Sequence, residues 1–373
     1  MNYQLFVLVL LLLLGLLFPY LVFLARSVKN IVPYLYLNAR ISAKQGRLIK
    51  KNMLNDMIDA DSIAELASRL ENTDYAFAMP DLVLDNAESI ERLLMRYTAA
   101  VYRELADMMP KKISSAFSFL LQEWDVKNIK TILRGIRRGL PPGEILSRII
   151  PVGEMPSPLL SKLAEAGTVE QSIAHLEGTQ YAFVTELIQR YEQDRTLLVI
   201  ESALDKWLLE TMWNRAMADP ELMVLRPFLA ARLDGINLKI LFRAKRDLVP
   251  LSEIMPHLIL GGEILDGPLK IFDEVDEIGA LIASIEWSPF YHPLTDAFPE
   301  YEKTGSLAIL EKVVDETVLK VGRDTAIKFP YGIAPVAGYL ALRETELRNI
   351  RAIARLKEVG MPPDQIRELI LVV

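Results

Sequence analysis

The first apolar feature of the chain is an unbroken one. Residues 5 to 25 read LFVLVLLLLLGLLFPYLVFLA, 21 positions without a charge. As a helix, such a run covers the roughly 30 Å of a bilayer's hydrocarbon. Gly15 and Pro19 are tolerated in a spanning helix, and Tyr20 suits an interface. A secretory leader is the competing reading, but Met1-Asn2-Tyr3-Gln4 carries no basic side chain and no A-x-A site follows. The pattern therefore predicts a transmembrane anchor over residues 1–27. Arg26, Lys29, Arg40, Lys44 and Arg47 follow the apolar run, and the positive-inside rule predicts that the bulk of the chain lies on the cytoplasmic face.

Beyond the anchor the apolar positions recur at helical spacing. Thr179 to Asp219 is 41 residues without Pro or Gly, and Leu187, Tyr191, Leu198, Ala203, Trp207 and Met212 mark one stripe. As one unbroken helix it is about 60 Å long. Residues 111 to 134 are equally free of breakers. No segment sustains the period-two alternation of successive strands, so the predicted fold class is all-α.

A repeat organises these helices. Asp125-Val-Lys-Asn128-Ile-Lys130-Thr-Ile132-Leu-Arg134 aligns with Asp234-Gly-Ile-Asn237-Leu-Lys239-Ile-Leu241-Phe-Arg243 and with Glu346-Leu-Arg-Asn349-Ile-Arg351-Ala-Ile353-Ala-Arg355. The asparagines are 109 and 112 residues apart. Five residues after each arginine comes a turn: Gly139-Leu-Pro-Pro, Leu248-Val-Pro250 and Gly360-Met-Pro-Pro. A proline there, with an acid shortly after, predicts a second helix start. The unit is a long helix bearing the Asn, a turn and another helix. Three copies fill residues 28–150, 151–255 and 256–373, one object rather than three independent domains. Acid and Asn are three positions apart and share a helix face. Asn is unfavourable inside a helix, which predicts tertiary hydrogen bonds for Asn128, Asn237 and Asn349. The repeated arginines are expected to pair with acids of neighbouring helices. After the anchor, a helix over Tyr34 to Lys50 places Arg40, Lys44 and Arg47 on one basic stripe, suited to headgroups or to a partner.

Composition removes most chemistry. The 373 residues include no cysteine and three histidines, His175, His257 and His292. Disulfides, thiolate metal sites and cysteine nucleophiles are excluded, and no H-x-x-x-H pair exists. A net charge of -7 offers no general attraction to nucleic acid. No phosphate loop, dinucleotide fingerprint or nucleophile elbow occurs. The residues read as a non-enzymatic, membrane-anchored helical scaffold with no cofactor, no metal and no small-molecule substrate.

The opening Tyr36-Leu-Asn38-Ala-Arg40-Ile, the three repeats and the Gly360-Met-Pro-Pro tail together resemble the C subunit of the archaeal-type (A/V-type) ATP synthase, a relative of the vacuolar ATPase d subunit. The likeness covers about residues 33 to 373. It implies a three-fold pseudosymmetric funnel and a non-catalytic coupling role. Its implied partners are the central-stalk subunits D and F, received in the funnel, and the membrane proteolipid ring of a proton or sodium motor. Arg40 and Lys44 then become candidate partner contacts, and Asn128, Asn237 and Asn349 the fold's fasteners. Members of that family commonly begin near Tyr36, so the segment ahead of it is a departure. A rotor location predicts that it enters the central opening of the ring. A membrane-tethered adaptor that kept the fold but left the rotor is the competing function, and a membrane enzyme with an unrecognised site is a third.

Overall fold

The computed structural model describes the backbone of residues 3–109 and 114–371. It describes the side chains there too, apart from most of the first 33 residues and a few near the start of the helix at Ser114. Among the described residues every regular element is helical. Helix α1 spans Tyr3–Gln45 and is followed by α2 (Lys51–Asp59), α3 (Ile63–Leu70) and α4 (Ala87–Met108). Helix α5 (Ser114–Arg137) then leads through α6 (Pro142–Ser147), α7 (Ser157–Ala164), α8 (Val169–Ala174) and α9 (Ile188–Asp194) to α10 (Leu198–Ala218). Helix α11 (Arg226–Arg246) leads likewise through α12 (Leu251–Ile254), α13 (Asp266–Ile271), α14 (Ile278–Ala283) and α15 (Tyr291–Thr304) to α16 (Leu307–Lys328). Helices α17 (Ala334–Glu358) and α18 (Pro363–Leu369) end the chain.

One expectation requires correction. The pattern over residues 5–25 predicts a transmembrane helix, but among the described residues no helix is long and apolar enough to cross a membrane. Most side chains of that run lie outside the described residues. Its backbone is no separate element either: it is one end of the 43-residue α1, which runs through Pro19 and past residue 27. A count of apolar residues cannot tell a separate span from one end of a longer helix. Here the other end carries Asn38, Arg40 and Lys44 and buries Leu37 and Ile41 in the body.

The 41-residue stretch from Thr179 is also broken. A 3-10 turn over Ala182–Leu187 and α9 precede α10, and Arg195 takes a left-handed conformation at φ 51°. The Arg195 N–H closes on the Tyr191 carbonyl at 2.8 Å, ending α9.

The proline turns do begin α6, α12 and α18. In each, the residue five after the repeated arginine is left-handed: Gly139 at φ 70°, Leu248 at 55° and Gly360 at 76°. The next N–H reaches back to the carbonyls of Gly135, Ala244 and Leu356, as in a Schellman ending.

A second repeated motif lies upstream of α4, α10 and α16: Leu70-Glu-Asn-Thr73-Asp-Tyr75, Leu176-Glu-Gly-Thr179-Gln-Tyr181 and Ile285-Glu-Trp-Ser288-Pro-Phe290. In each the hydroxyl residue accepts from the N–H two positions on, at 3.1 to 3.3 Å. The aromatic side chain is fully buried.

The six longest helices of the body form a series of neighbours, α5–α10–α11–α16–α17–α4. Little direct packing closes α4 back onto α5, where the ring pair Tyr102–Trp124 meets edge to face at 5.3 Å. A cavity of about 620 Å³ opens there, lined by α4, α5, α16 and α17 with Phe228 and Arg232 of α11.

Candidate functional site

The repeated polar residues hold turns against helices. Asn128 donates to the Ile150 carbonyl at 2.8 Å and accepts the Ile150 N–H at 2.9 Å. Asn237 does the same with Ile259 (2.9 and 2.9 Å) and Asn349 with Leu371 (2.6 and 3.2 Å). The amide forms a two-point clamp on a residue 22 positions further on in every case. All three asparagines are buried, so each clamp satisfies backbone groups that water does not reach.

The acid three residues before each Asn holds the next turn. Asp125 accepts the N–H groups of Glu154 and Met155 at 2.9 and 3.1 Å, and the Tyr181 hydroxyl at 3.2 Å. Asp234 accepts those of Glu263 and Ile264. Burial pushes both carboxyls up, that of Asp234 to about 7 despite the lowering by its two N–H donors. Gly153 and Gly262 face these carboxylates so closely that an added Cβ would lie 1.8 and 2.1 Å from Oδ1.

At the third copy the partners come from the other end of the chain. Glu346 accepts the Ile49 N–H and, at 2.6 Å, the Tyr75 hydroxyl. Tyr75 thus does for Glu346 what Tyr181 does for Asp125. Helices α2 and α3 pack on α17, and α18 packs on α2. Lys357 reaches the Ile58 and Ala60 carbonyls, and Arg367 pairs with Asp59. Buried Arg343 joins this junction with Glu346, Asp74 and the rings of Tyr75, Tyr97 and Tyr339.

The repeated basic residues cross to the next long helix. Lys130 and Arg134 of α5 pair with Asp205 and Glu201 of α10. Lys239 and Arg243 of α11 pair with Asp315 and Glu311 of α16. Arg351 and Arg355 of α17 share Glu91 of α4 at 2.6 and 3.3 Å.

Two positions before each repeated acid stand Glu123, Arg232 and Glu344, and these converge beside the cavity. Arg232 pairs with Glu123 at 3.3 Å. Lys127 pairs with Glu123 at 3.2 Å and also with Glu344, its ammonium 4.5 Å over the Trp124 ring. Burial raises the Glu123 carboxyl, but the Arg232 and Lys127 charges outweigh it and hold it at about 2. This hub ties α5, α11 and α17 together. Sequence reasoning missed it, although the 109- and 112-residue offsets applied to Glu123 point to it.

Arg40 and Lys44 lie on α1, apart from the three clamps. Both pair with Glu104 of α4, at 3.1 and 2.6 Å. Burial raises the Glu104 carboxyl, but these two cations outweigh it and hold it below its usual range. The side chain of Arg40 is half exposed and that of Lys44 mostly covered. Nearby, Asn38 donates to the Pro330 carbonyl at 3.0 Å, fixing α1 to the loop before α17.

The model of the ATP synthase (C/AC39) subunit family matches residues 37–369. The A-type ATP synthase C subunit of Methanocaldococcus jannaschii is 31% identical, over 94% of this chain and 89% of its own. The proteins of the same name from Methanothermobacter thermautotrophicus and Thermococcus gammatolerans are 31% and 30% identical, over 92% and 93% of this chain and 89% and 92% of their own. Such coverage extends ahead of Leu37, so part of the segment expected to set this chain apart is shared with these relatives.

Proposed function

The chain belongs to the ATP synthase (C/AC39) subunit family, and from that premise we propose that it is the non-catalytic coupling subunit of an A-type rotary ATP synthase. In this reading it receives the central shaft, subunits D and F, and passes torque to the membrane ring of proton- or sodium-carrying subunits. The observation that carries the reading is the closed set of clamps. Every Asn-bearing helix holds its own turn, and the third is completed by residues from the opposite end of the chain. A torque-bearing part must deform little under load, and close-packed helices joined through buried hydrogen bonds meet that need. The shaft enters at the cavity beside the charged hub. Arg40, half exposed on α1, is an outer contact. The three repeats act as one mechanical unit.

Purification of the complex through a C-terminal tag on this chain, followed by mass spectrometry of intact subunits, tests the proposal. Recovery of D, F and the ring protein at one copy of this chain per complex is the expected result. Recovery with unrelated proteins only would replace it with an adaptor that kept the fold.

A further inference from the structure

The three junctions between a basic long helix and its acidic neighbour are not equal. In two of them the two cations meet two carboxylates: Lys130 with Asp205 and Arg134 with Glu201, then Lys239 with Asp315 and Arg243 with Glu311, although Asp315 also lies 3.6 Å from Arg348 of α17. In the third, Arg351 and Arg355 share Glu91 alone. The acids recur at intervals of 110 residues, Glu91 with Glu201 and Glu311, and by that count the place of Asp205 and Asp315 falls to Met95. Met95, Glu91, Arg351 and Arg355 all line the cavity at the poorly closed α4–α5 seam. The Arg355 side chain is 63% exposed. A chain of net charge -7 therefore presents, at one of three pseudo-equivalent junctions, a guanidinium pair short of one carboxylate.

We propose that this junction receives an acidic side chain of the central shaft and so sets which of three rotational positions the shaft adopts. The proposal rests on the coupling role given above. Two arginines of one helix face, already oriented by Glu91, form a fork suited to a second carboxylate. At the other two junctions the same carboxylate would meet a pair that already faces two acids, so the missing acid acts through repulsion elsewhere as much as through attraction here.

The test measures binding of the purified D–F shaft to the full-length chain in four forms: wild type, Met95→Glu, Arg355→Gln and, as a control at a compensated junction, Arg243→Gln. Met95→Glu and Arg355→Gln are expected to weaken the shaft about tenfold and to flatten the salt dependence of its affinity. Arg243→Gln should leave both unchanged. Met95→Glu supplies the missing partner within the chain, so its thermal midpoint should equal or exceed that of wild type. Binding loss through misfolding would lower it. Equal shaft affinity in all four forms overturns the proposal. So does a junction that takes inorganic phosphate, seen as thermal stabilisation of wild type but not of Met95→Glu, while shaft affinity stays equal. Failure of wild type itself to bind the shaft removes the coupling role, and this proposal with it.

Discussion

At the scale of residues, the three turns show how one backbone conformation is met by different side chains. Gly139 and Gly360 adopt the left-handed conformation without cost, whereas Leu248 holds it with a Cβ. Leu248 is 85% exposed, so it gains little from packing. Leu248→Gly is expected to stabilise the protein by about 1 kcal/mol, seen as a raised denaturation midpoint, while Gly360→Leu lowers it by a similar amount. The clamps carry larger effects. Asn237→Ala leaves the buried Ile259 N–H and carbonyl without their partner and should cost about 2–4 kcal/mol in chemical denaturation. Asp234 brings pH dependence. Its folded value of about 7 lies above the ordinary 3.8, so the folded state holds the proton more tightly than the unfolded one. Its contribution is most favourable at low pH and declines as pH rises from about 4 to 7. Asp234→Asn should gain on wild type across that window, by no more than about 4 kcal/mol, and stop gaining above it. A flat difference between the two proteins would contradict the assignment.

At the scale of elements, α17 differs from α5 and α11 in where its partners come from. Its acid Glu346 is bound by Arg343, Tyr75 and the Ile49 N–H. Removing the carboxylate leaves a buried guanidinium with Asp74 at 3.5 Å as its other carboxylate. Glu346→Ala is accordingly expected to cost about 3–5 kcal/mol. The same variant should speed amide exchange in α2 and α3, because those helices pack on α17. Comparable exchange rates in wild type and variant would show that the N-terminal helices are held by other means. The repeated helix, turn and helix are legible in the sequence because Asn, Arg and Pro recur at fixed offsets. The break at Arg195 is not, since Arg195 and its neighbours carry no Pro or Gly signal.

At the scale of the whole molecule, the long helices form an open series with a cavity at its seam. The hub of Glu123, Arg232, Lys127 and Glu344 joins the three Asn-bearing helices there. Charge at this point is balanced by residues from different copies of the repeat, so neutralising one of them should disturb all three helices. Arg232→Met removes the cation that lowers the Glu123 carboxyl most and raises that carboxyl from about 2. Acid titration of stability is expected to move to higher pH in this variant. A folded value below the ordinary carboxyl range means stability present above about 4.5 and lost as pH falls toward 2.

The order of residues suffices for the helical class, the period of the repeat and the identity of the fasteners. Those depend on local preference: helical spacing of apolar positions, the poor fit of Asn inside a helix, and proline at helix starts. Which groups meet is a matter of tertiary packing. Tyr75 serves Glu346 across 271 residues, and Arg40 and Lys44, a solvated stripe by spacing, face Glu104. The apolar run at 5–25 is one end of a single long helix rather than an element of its own. A linear pattern records what a residue prefers to touch. Which partner it finds depends on how helices far apart in the chain come together, and the path of this chain brings Ile49 and Tyr75 near its start onto Glu346 near its end.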